Sequence, residues 1–96
     1  MTIPRLRADF NGLFQGWTIL CLSHGDTCPD QYGVEVPLRA GMVVTAFEKD
    51  HNEHGVRDDL IATGSVEKSP DWLQCLGSKW ILRIDEDGVR HDSDIK

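Results

Sequence analysis

The stretch of sequence that decides the fold is residues 58–85, DDLIATGSVEKSPDWLQCLGSKWILRID. Apolar residues alternate with polar ones in its first part, 60–67, and again in its last part, 79–85. A period of two is typical of a strand that buries one face and exposes the other. We therefore interpret this stretch as two strands joined by the connection 68–78.

Two further signals lie inside this stretch. Gly64 interrupts the first strand, and a glycine there indicates a bend or the close approach of another backbone. Ser69 suits the N-cap of a helix, and Pro70 suits the first helical position. A short helical turn near residues 70–75 is therefore predicted between the two strands.

The beginning of the chain also predicts strands. Residues 6–10 alternate between apolar and charged side chains, and Asn11-Gly12 is a strong signal for a β-hairpin. The first strand is therefore expected to pair with the one that follows it. Residues 17–23, WTILCLS, are apolar on both faces, which predicts a strand inside the sheet rather than at its edge.

Shorter strands are expected at 34–36, 42–48 and 89–91, with a polar hairpin loop at 49–57 and a tight turn at 85–88. No stretch longer than about eight residues has helical periodicity. The sequence therefore predicts one all-β domain spanning residues 1–96, with a polar tail from about residue 92. Its expected architecture is a small, strongly bent antiparallel sheet or an SH3-like barrel of about six strands.

The opening strand, LRADF, and a one-turn helix before the last strands resemble the pattern of SH3-like small barrels. That resemblance implies a barrel fold but not polyproline binding. The tryptophan doublet and the acidic first long loop of peptide-binding SH3 domains have no counterparts in this sequence. The chain also resembles small bacterial proteins, which implies no function.

The composition limits the classes of partner. The formal net charge is −6, which disfavours binding to nucleic-acid phosphates and to anionic membranes. A basic or neutral protein partner is compatible with this charge. No apolar run approaches 18 residues, and no signal peptide is evident. With three cysteines, an odd number, we expect free thiols and a cytoplasmic location.

The candidate metal ligands are cysteines and a histidine. Cys21, His24 and Cys28 follow a C-x2-H-x3-C spacing, and Cys75 is a possible fourth ligand. Zinc prefers four thiolate or imidazole ligands in a tetrahedron. The alternative is that these cysteines are ordinary buried apolar residues, because free cysteine is among the most buried residue types.

The sequence shows no catalytic constellation drawn from several elements, so we do not expect an enzyme. Trp72 lies in the connection between the two strands, where it either anchors a partner or covers one end of a barrel. The predicted binding residues are Trp72, Asp71, Asp58, Asp59 and Tyr32.

These residues favour a non-enzymatic module that binds a protein, as a monomer or homodimer. Two alternatives remain open. One is a metal- or thiol-dependent regulator that uses Cys21, His24, Cys28 and Cys75. The other is an acidic inhibitor or immunity-type protein that masks a basic surface.

Overall fold

A computed structural model of the chain describes residues 3–10, 13–14, 18–70 and 79–94. The alternating segments form nine strands in these ranges, and none of the described residues is α-helical. The strands are β1 (Arg5–Arg7), β2 (Leu13–Phe14), β3 (Ile19–Ser23), β4 (Thr27–Pro29), β5 (Glu35–Pro37), β6 (Val43–Glu48), β7 (Leu60–Lys68), β8 (Trp80–Ile84) and β9 (Arg90–His91). A 3-10 turn, Asp92–Asp94, follows β9.

The main sheet is a curled half-barrel with the strand order β1-β6-β7-β8-β3-β2. The short strand β9 pairs with β7, and β4 and β5 form a separate two-stranded sheet. Strand β4 contacts both β1 and β3, so the β4–β5 hairpin lies across the open side of the curl. The prediction of a small, strongly bent all-β fold is therefore confirmed.

The core lies inside the curl. Its fully buried members come from strands that are far apart in sequence: Leu6, Leu20, Val44, Ala46, Ala62, Val66 and Leu82. Ile19 and Ile81 form a second buried cluster. Large, mostly branched side chains on neighbouring strands fill this space, and their removal from water is the main stabilising contribution. The stretch predicted to decide the fold supplies β7 and β8, the two strands at its centre.

Gly64 lies where the backbone of β8 closely approaches that of β7. It pairs with Val44 on one side and with Ile84 on the other. A Cβ atom at this position would overlap the backbone carbonyl of Arg83. The close backbone approach predicted from this glycine is confirmed.

The predicted partner of the first strand was wrong. Strand β1 runs parallel to β6, with Leu6 beside Ala46, while β2 pairs with β3. The sheet is therefore not entirely antiparallel as predicted. A turn signal such as Asn11-Gly12 specifies only a local reversal of the chain. The pairing of β1 with β6 is favoured because it buries Leu6 completely in the core.

Several local predictions agree with the described residues. Strand β3 lies inside the sheet, between β8 and β2. Gly88 adopts a φ of 69°, and its N–H donates to the carbonyl of Asp85 at 3.1 Å, which closes the predicted tight turn. The helical turn predicted near residues 70–75 lies outside the described residues, apart from Pro70 itself. In the described part of the chain, no helix is long and apolar enough to cross a membrane.

Candidate functional site

Two loops meet at the end of the sheet where β7 begins. One loop, residues 49–59, joins β6 to β7, and the other segment, residues 85–94, contains β9. Strand β9 runs antiparallel along the first two residues of β7, Leu60 and Ile61. The backbone N–H of Asp92 then donates to the carbonyl of Asp59 at 2.8 Å. The fold thus joins two polar segments separated by more than 25 positions in sequence.

Most of the acidic residues of the chain lie in these two segments, between residues 50 and 59 and between residues 85 and 94. Residues 50–59 and 85–94, called the acidic face below, contain nine of the sixteen acidic residues and two of the ten lysines and arginines. The formal charge of residues 50–59 and 85–94 is therefore −7, and the rest of the chain carries +1. Two further cations adjoin this set: Arg5, which lies against Asp59 and Asp92, and Lys49, which precedes Asp50. The nine acidic residues are Asp50, Glu53, Asp58, Asp59, Asp85, Glu86, Asp87, Asp92 and Asp94.

Asp59 anchors the acidic face from inside. Its side chain is only 5% exposed, and Arg57 donates from Nε and Nη2 to its two carboxylate oxygens at 2.8 and 3.0 Å. Arg5 lies 3.7 Å from the same carboxylate. The hydrogen bonds from Arg57 lower the pKa of Asp59, although burial opposes them. This buried carboxylate holds Arg57 and Arg5 in place and is not itself available to a partner.

Arg5 connects the first strand to the end of the described chain. Its Nη2 donates to Asp92 at 3.0 Å, and its guanidinium lies 5.4 Å from the centre of the Phe47 ring. A cation over an aromatic face is held by the ring quadrupole as well as by its ion pair. Arg5 is therefore fixed in position on two sides.

Asp58 holds the segment that follows β9. One carboxylate oxygen accepts the backbone N–H of Ser93 at 2.9 Å, and the other accepts the Ser93 hydroxyl at 2.8 Å. These two hydrogen bonds lower the pKa of Asp58. The tail predicted from about residue 92 thus begins with residues that are bonded to the fold.

Two cavities adjoin at this site. The first, about 350 Å³, is lined by Arg5, Gln31, Phe47, Arg57, Asp59 and Asp92. The second, about 420 Å³, is lined by Asn52, Val56, Arg57, Asp58, Asp92 and Ser93. Arg57 and Asp92 belong to both linings. Their walls are mostly polar, which suits charged or hydrogen-bonding groups better than an apolar ligand.

Tyr32 extends from an ordered turn beside the first cavity. The Asp30 carboxylate accepts the backbone N–H groups of Tyr32 and Val34 at 2.8 and 3.0 Å, and Gly33 adopts a φ of 82°. The N–H of Gln31 donates to the carbonyl of Arg5 at 3.0 Å, which ties this turn to β1. The Tyr32 residue is nevertheless 81% exposed, so the fold displays an aromatic side chain without using it for packing.

The predicted binding residues have different positions. Asp58 and Asp59 lie together in the acidic face, and Tyr32 is exposed on the β4–β5 turn. Trp72 and Asp71 lie outside the described residues. Arg5 and Asp92 were not among the predicted residues, because contact between residues 87 positions apart has no local signal in the sequence.

The predicted metal ligands are not brought together as a set in the described residues. Cys21 is disulfide-bonded, whereas a free thiol was expected, and a disulfide sulfur is not the thiolate that zinc requires. His24 is exposed, and Cys28 is buried. Cys75 lies outside the described residues. Within the described ranges, no three His, Cys, Asp or Glu residues could jointly hold a metal ion.

Cys28 should be chemically inert in the folded protein. Its thiol donates to the carbonyl of Arg7 at 3.2 Å, and burial raises its pKa to about 11, with a smaller contribution from Glu35. At pH 8, a thiol with this pKa has about a hundredfold less reactive thiolate than an ordinary thiol has.

We expect native Cys28 to react with iodoacetamide at least about 100-fold more slowly than in 6 M guanidinium, as followed by peptide mass spectrometry. Equal rates in the two conditions would contradict this prediction.

No protein-family model, curated protein or solved structure matches this chain.

Proposed function

We propose that this protein is a non-enzymatic binding module whose acidic face docks on a basic surface of a partner protein. The observation that supports the proposal is the separation of charge: −7 on residues 50–59 and 85–94, and +1 on the rest. A concentrated negative patch attracts a basic protein over a distance of about 10 Å and orients it before contact. It also repels nucleic acids and anionic membranes.

The fold supplies the other elements of such an interface. Tyr32 is 81% exposed and Val56 is 60% exposed, and both lie in loops that contribute to the two cavities. Aromatic side chains are frequent anchors at interfaces, where charged neighbours give specificity and speed of association. The hydrogen bonds to Asp30 hold the backbone of the turn that carries Tyr32, so little backbone order would be lost on binding.

An inhibitor or immunity-type protein that masks a basic surface is the stricter form of this proposal. The same charge separation supports it, because a patch of −7 can cover lysines and arginines that the partner needs for its own activity. The two forms differ in outcome: an inhibitor abolishes the activity of its partner at saturating concentration, and a simple docking module does not.

The compartment depends on the redox state of Cys21. A disulfide persists in oxidising compartments and is rare in the cytosol. The cytoplasmic location that we propose from the sequence therefore requires Cys21 to be reduced there. Alkylation of thiols before cell lysis, followed by mass spectrometry, distinguishes the two states.

Charge reversal on the acidic face should weaken partner binding. Glu53 and Glu86 are exposed, and Glu53 lies 3.6 Å from His54. We expect the double variant Glu53→Lys/Glu86→Lys to bind proteins captured from the source cell at least about tenfold more weakly at low salt. The loss should shrink at 0.5 M NaCl, where the Debye length is only a few ångströms.

The control for this experiment also reverses charge but outside the acidic face. Glu67 lies near the end of β7 that is away from residues 50–59, in a half-exposed ion pair with Arg83, and the variant Glu67→Lys brings one such change there. We expect this single change to raise log Kd by less than half as much as the double variant does. Equal losses per charge would show that only net charge matters and would contradict docking by this face.

Removal of the exposed aromatic ring should also reduce affinity. We expect Tyr32→Ala to weaken binding by about tenfold or more while leaving stability unchanged, because the ring is not packed in the fold. Val43→Ala is the control, since Val43 is half exposed on β6 and away from the acidic face in sequence. If both variants bind as tightly as the wild type, Tyr32 has no part in the interface.

A further inference from the structure

The short turn Asp92–Asp94 stands between the two cavities. Asp92 belongs to both linings, and Ser93 belongs to the second. Arg57, the other shared residue, is held by its two hydrogen bonds to buried Asp59, although its side chain is 55% exposed. Movement of Asp92 away from its position would therefore join the two cavities into one groove.

A few polar contacts hold this turn. Ser93 donates twice to Asp58, the Asp92 N–H donates to the Asp59 carbonyl, and the Asp92 carboxylate accepts from Arg5. Ser93 is exposed, and the β9 ladder that precedes it is only two residues long. Segments with exposed hydrogen bonds and little apolar burial open at low free-energy cost.

We propose that Asp92–Asp94 is a latch, pinned by Asp58, that opens to admit a lysine or arginine side chain of the basic partner. This inference depends on the proposed function and describes how the same site is regulated. In the closed state, Ser93 and Arg5 satisfy the carboxylates of Asp58 and Asp92. In the open state, those two carboxylates exchange their internal donors for the ammonium or guanidinium group of the partner.

The arrangement of charges favours a cation as the occupant. Opening the latch frees the carboxylates of Asp58 and Asp92 and the guanidinium of Arg5, a net charge of −1, while Arg57 stays paired with Asp59. Arg5 remains 3.7 Å from the Asp59 carboxylate, which offsets its freed charge. The surrounding acidic face carries −7. An anionic occupant would face this charge, whereas a guanidinium can form two parallel hydrogen bonds with a carboxylate.

Amide hydrogen exchange tests the latch without any partner. The Ser93 N–H is bonded to the Asp58 side chain, but the Asp92 N–H is bonded to the backbone of Asp59. If the turn opens as a unit, Asp58→Ala should accelerate exchange at both amides by about tenfold, the equivalent of two lost hydrogen bonds. Acceleration at Ser93 alone would show that Asp58 merely caps one amide, and would overturn the latch.

Two controls make the result specific. Glu53→Ala removes one negative charge from the same loop without touching the turn, and it should leave both amides unchanged. The exchange rates of the core amides of Val66 and Leu82 should also be unchanged in Asp58→Ala, which excludes global destabilisation.

A second variant keeps the test valid if Asp58→Ala does not fold. Ser93→Ala removes only the hydroxyl bond, and it should accelerate exchange at both the Ser93 and Asp92 amides by a smaller factor, about threefold. Unchanged exchange at Asp92 in that variant would overturn the latch.

A hexa-arginine peptide tests the coupling to a basic partner. At low salt, binding of this peptide to the full chain should accelerate exchange at Ser93 and Asp92 while the core amides stay protected. Absence of any binding would contradict the proposed function itself. Binding that is weakened by Glu53→Lys but leaves the Ser93 and Asp92 amides unchanged would support the acidic face and overturn the latch alone.

Discussion

Replacement of Gly64 by alanine is expected to destabilise the protein by about 3 kcal/mol or more. The added Cβ atom would overlap the Arg83 carbonyl, and both groups belong to backbones that are fixed on each side by neighbouring strands. The clash cannot be relieved by rotation of a side chain, because the atom that is hit is backbone. Only separation of β7 from β8 would make room, at the expense of their ladder.

Urea denaturation followed by tryptophan fluorescence measures this effect. The midpoint should fall while the slope stays constant, as for a change of stability alone. Gly25→Ala is the matched control, because a Cβ atom at Gly25 meets nothing within 4 Å and Gly25 does not have a positive φ. Similar midpoints for the two variants would show that the spacing of β7 and β8 is wider than the structure indicates.

Replacement of Asp59 by asparagine is expected to cost about 2 kcal/mol at pH 7. The change leaves the buried amide facing Arg57, which loses this ion pair, and Arg5, which keeps its closer ion pair with Asp92. The loss is smaller than for a fully buried pair, because the Arg57 side chain is 55% exposed and can turn to water. Asp87→Asn, at a side chain that is 59% exposed, is the control and should be nearly neutral.

The loss of unfolding free energy caused by Asp59→Asn should become smaller as the pH falls. Hydrogen bonds from Arg57 lower the pKa of Asp59 in the folded state below its ordinary value. Its stabilising contribution is therefore complete above the pKa of the unfolded chain, about 3.9, and is lost as pH falls through the lower folded value. The difference in unfolding free energy between wild type and variant should narrow steadily below about pH 4. A difference that stays constant to pH 2 would contradict the ion pair.

Local features were predictable where the physical cause is local. The alternation in β7 and β8 indicates strands because a pleated backbone points successive side chains to opposite faces. Gly64 and Gly88 could be interpreted because a missing Cβ atom permits close contact at the first and a φ of 69° at the second. These predictions needed no knowledge of which strands are neighbours.

The pairing of β1 could not be predicted because its physical cause is not local in the sequence. The Asn11-Gly12 signal favoured a hairpin, but β1 lies beside β6, about 40 positions later in sequence. Strand pairing is decided by the burial of complete faces. The parallel register of β1 with β6 places Leu6 beside Ala46. The disulfide at Cys21 likewise depends on spatial neighbours.

The sequence by itself determined the all-β class, the central pair of strands and the overall charge of −6. Only the tertiary structure decided where that charge lies. The pairing of β9 with β7 places residues 85–94 against residues 50–59, and it buries Asp59 between Arg57 and Arg5. Electrostatic fields depend on distance in space and not on separation along the chain. For this reason a moderate net charge becomes a concentrated acidic face only when the sheet has formed.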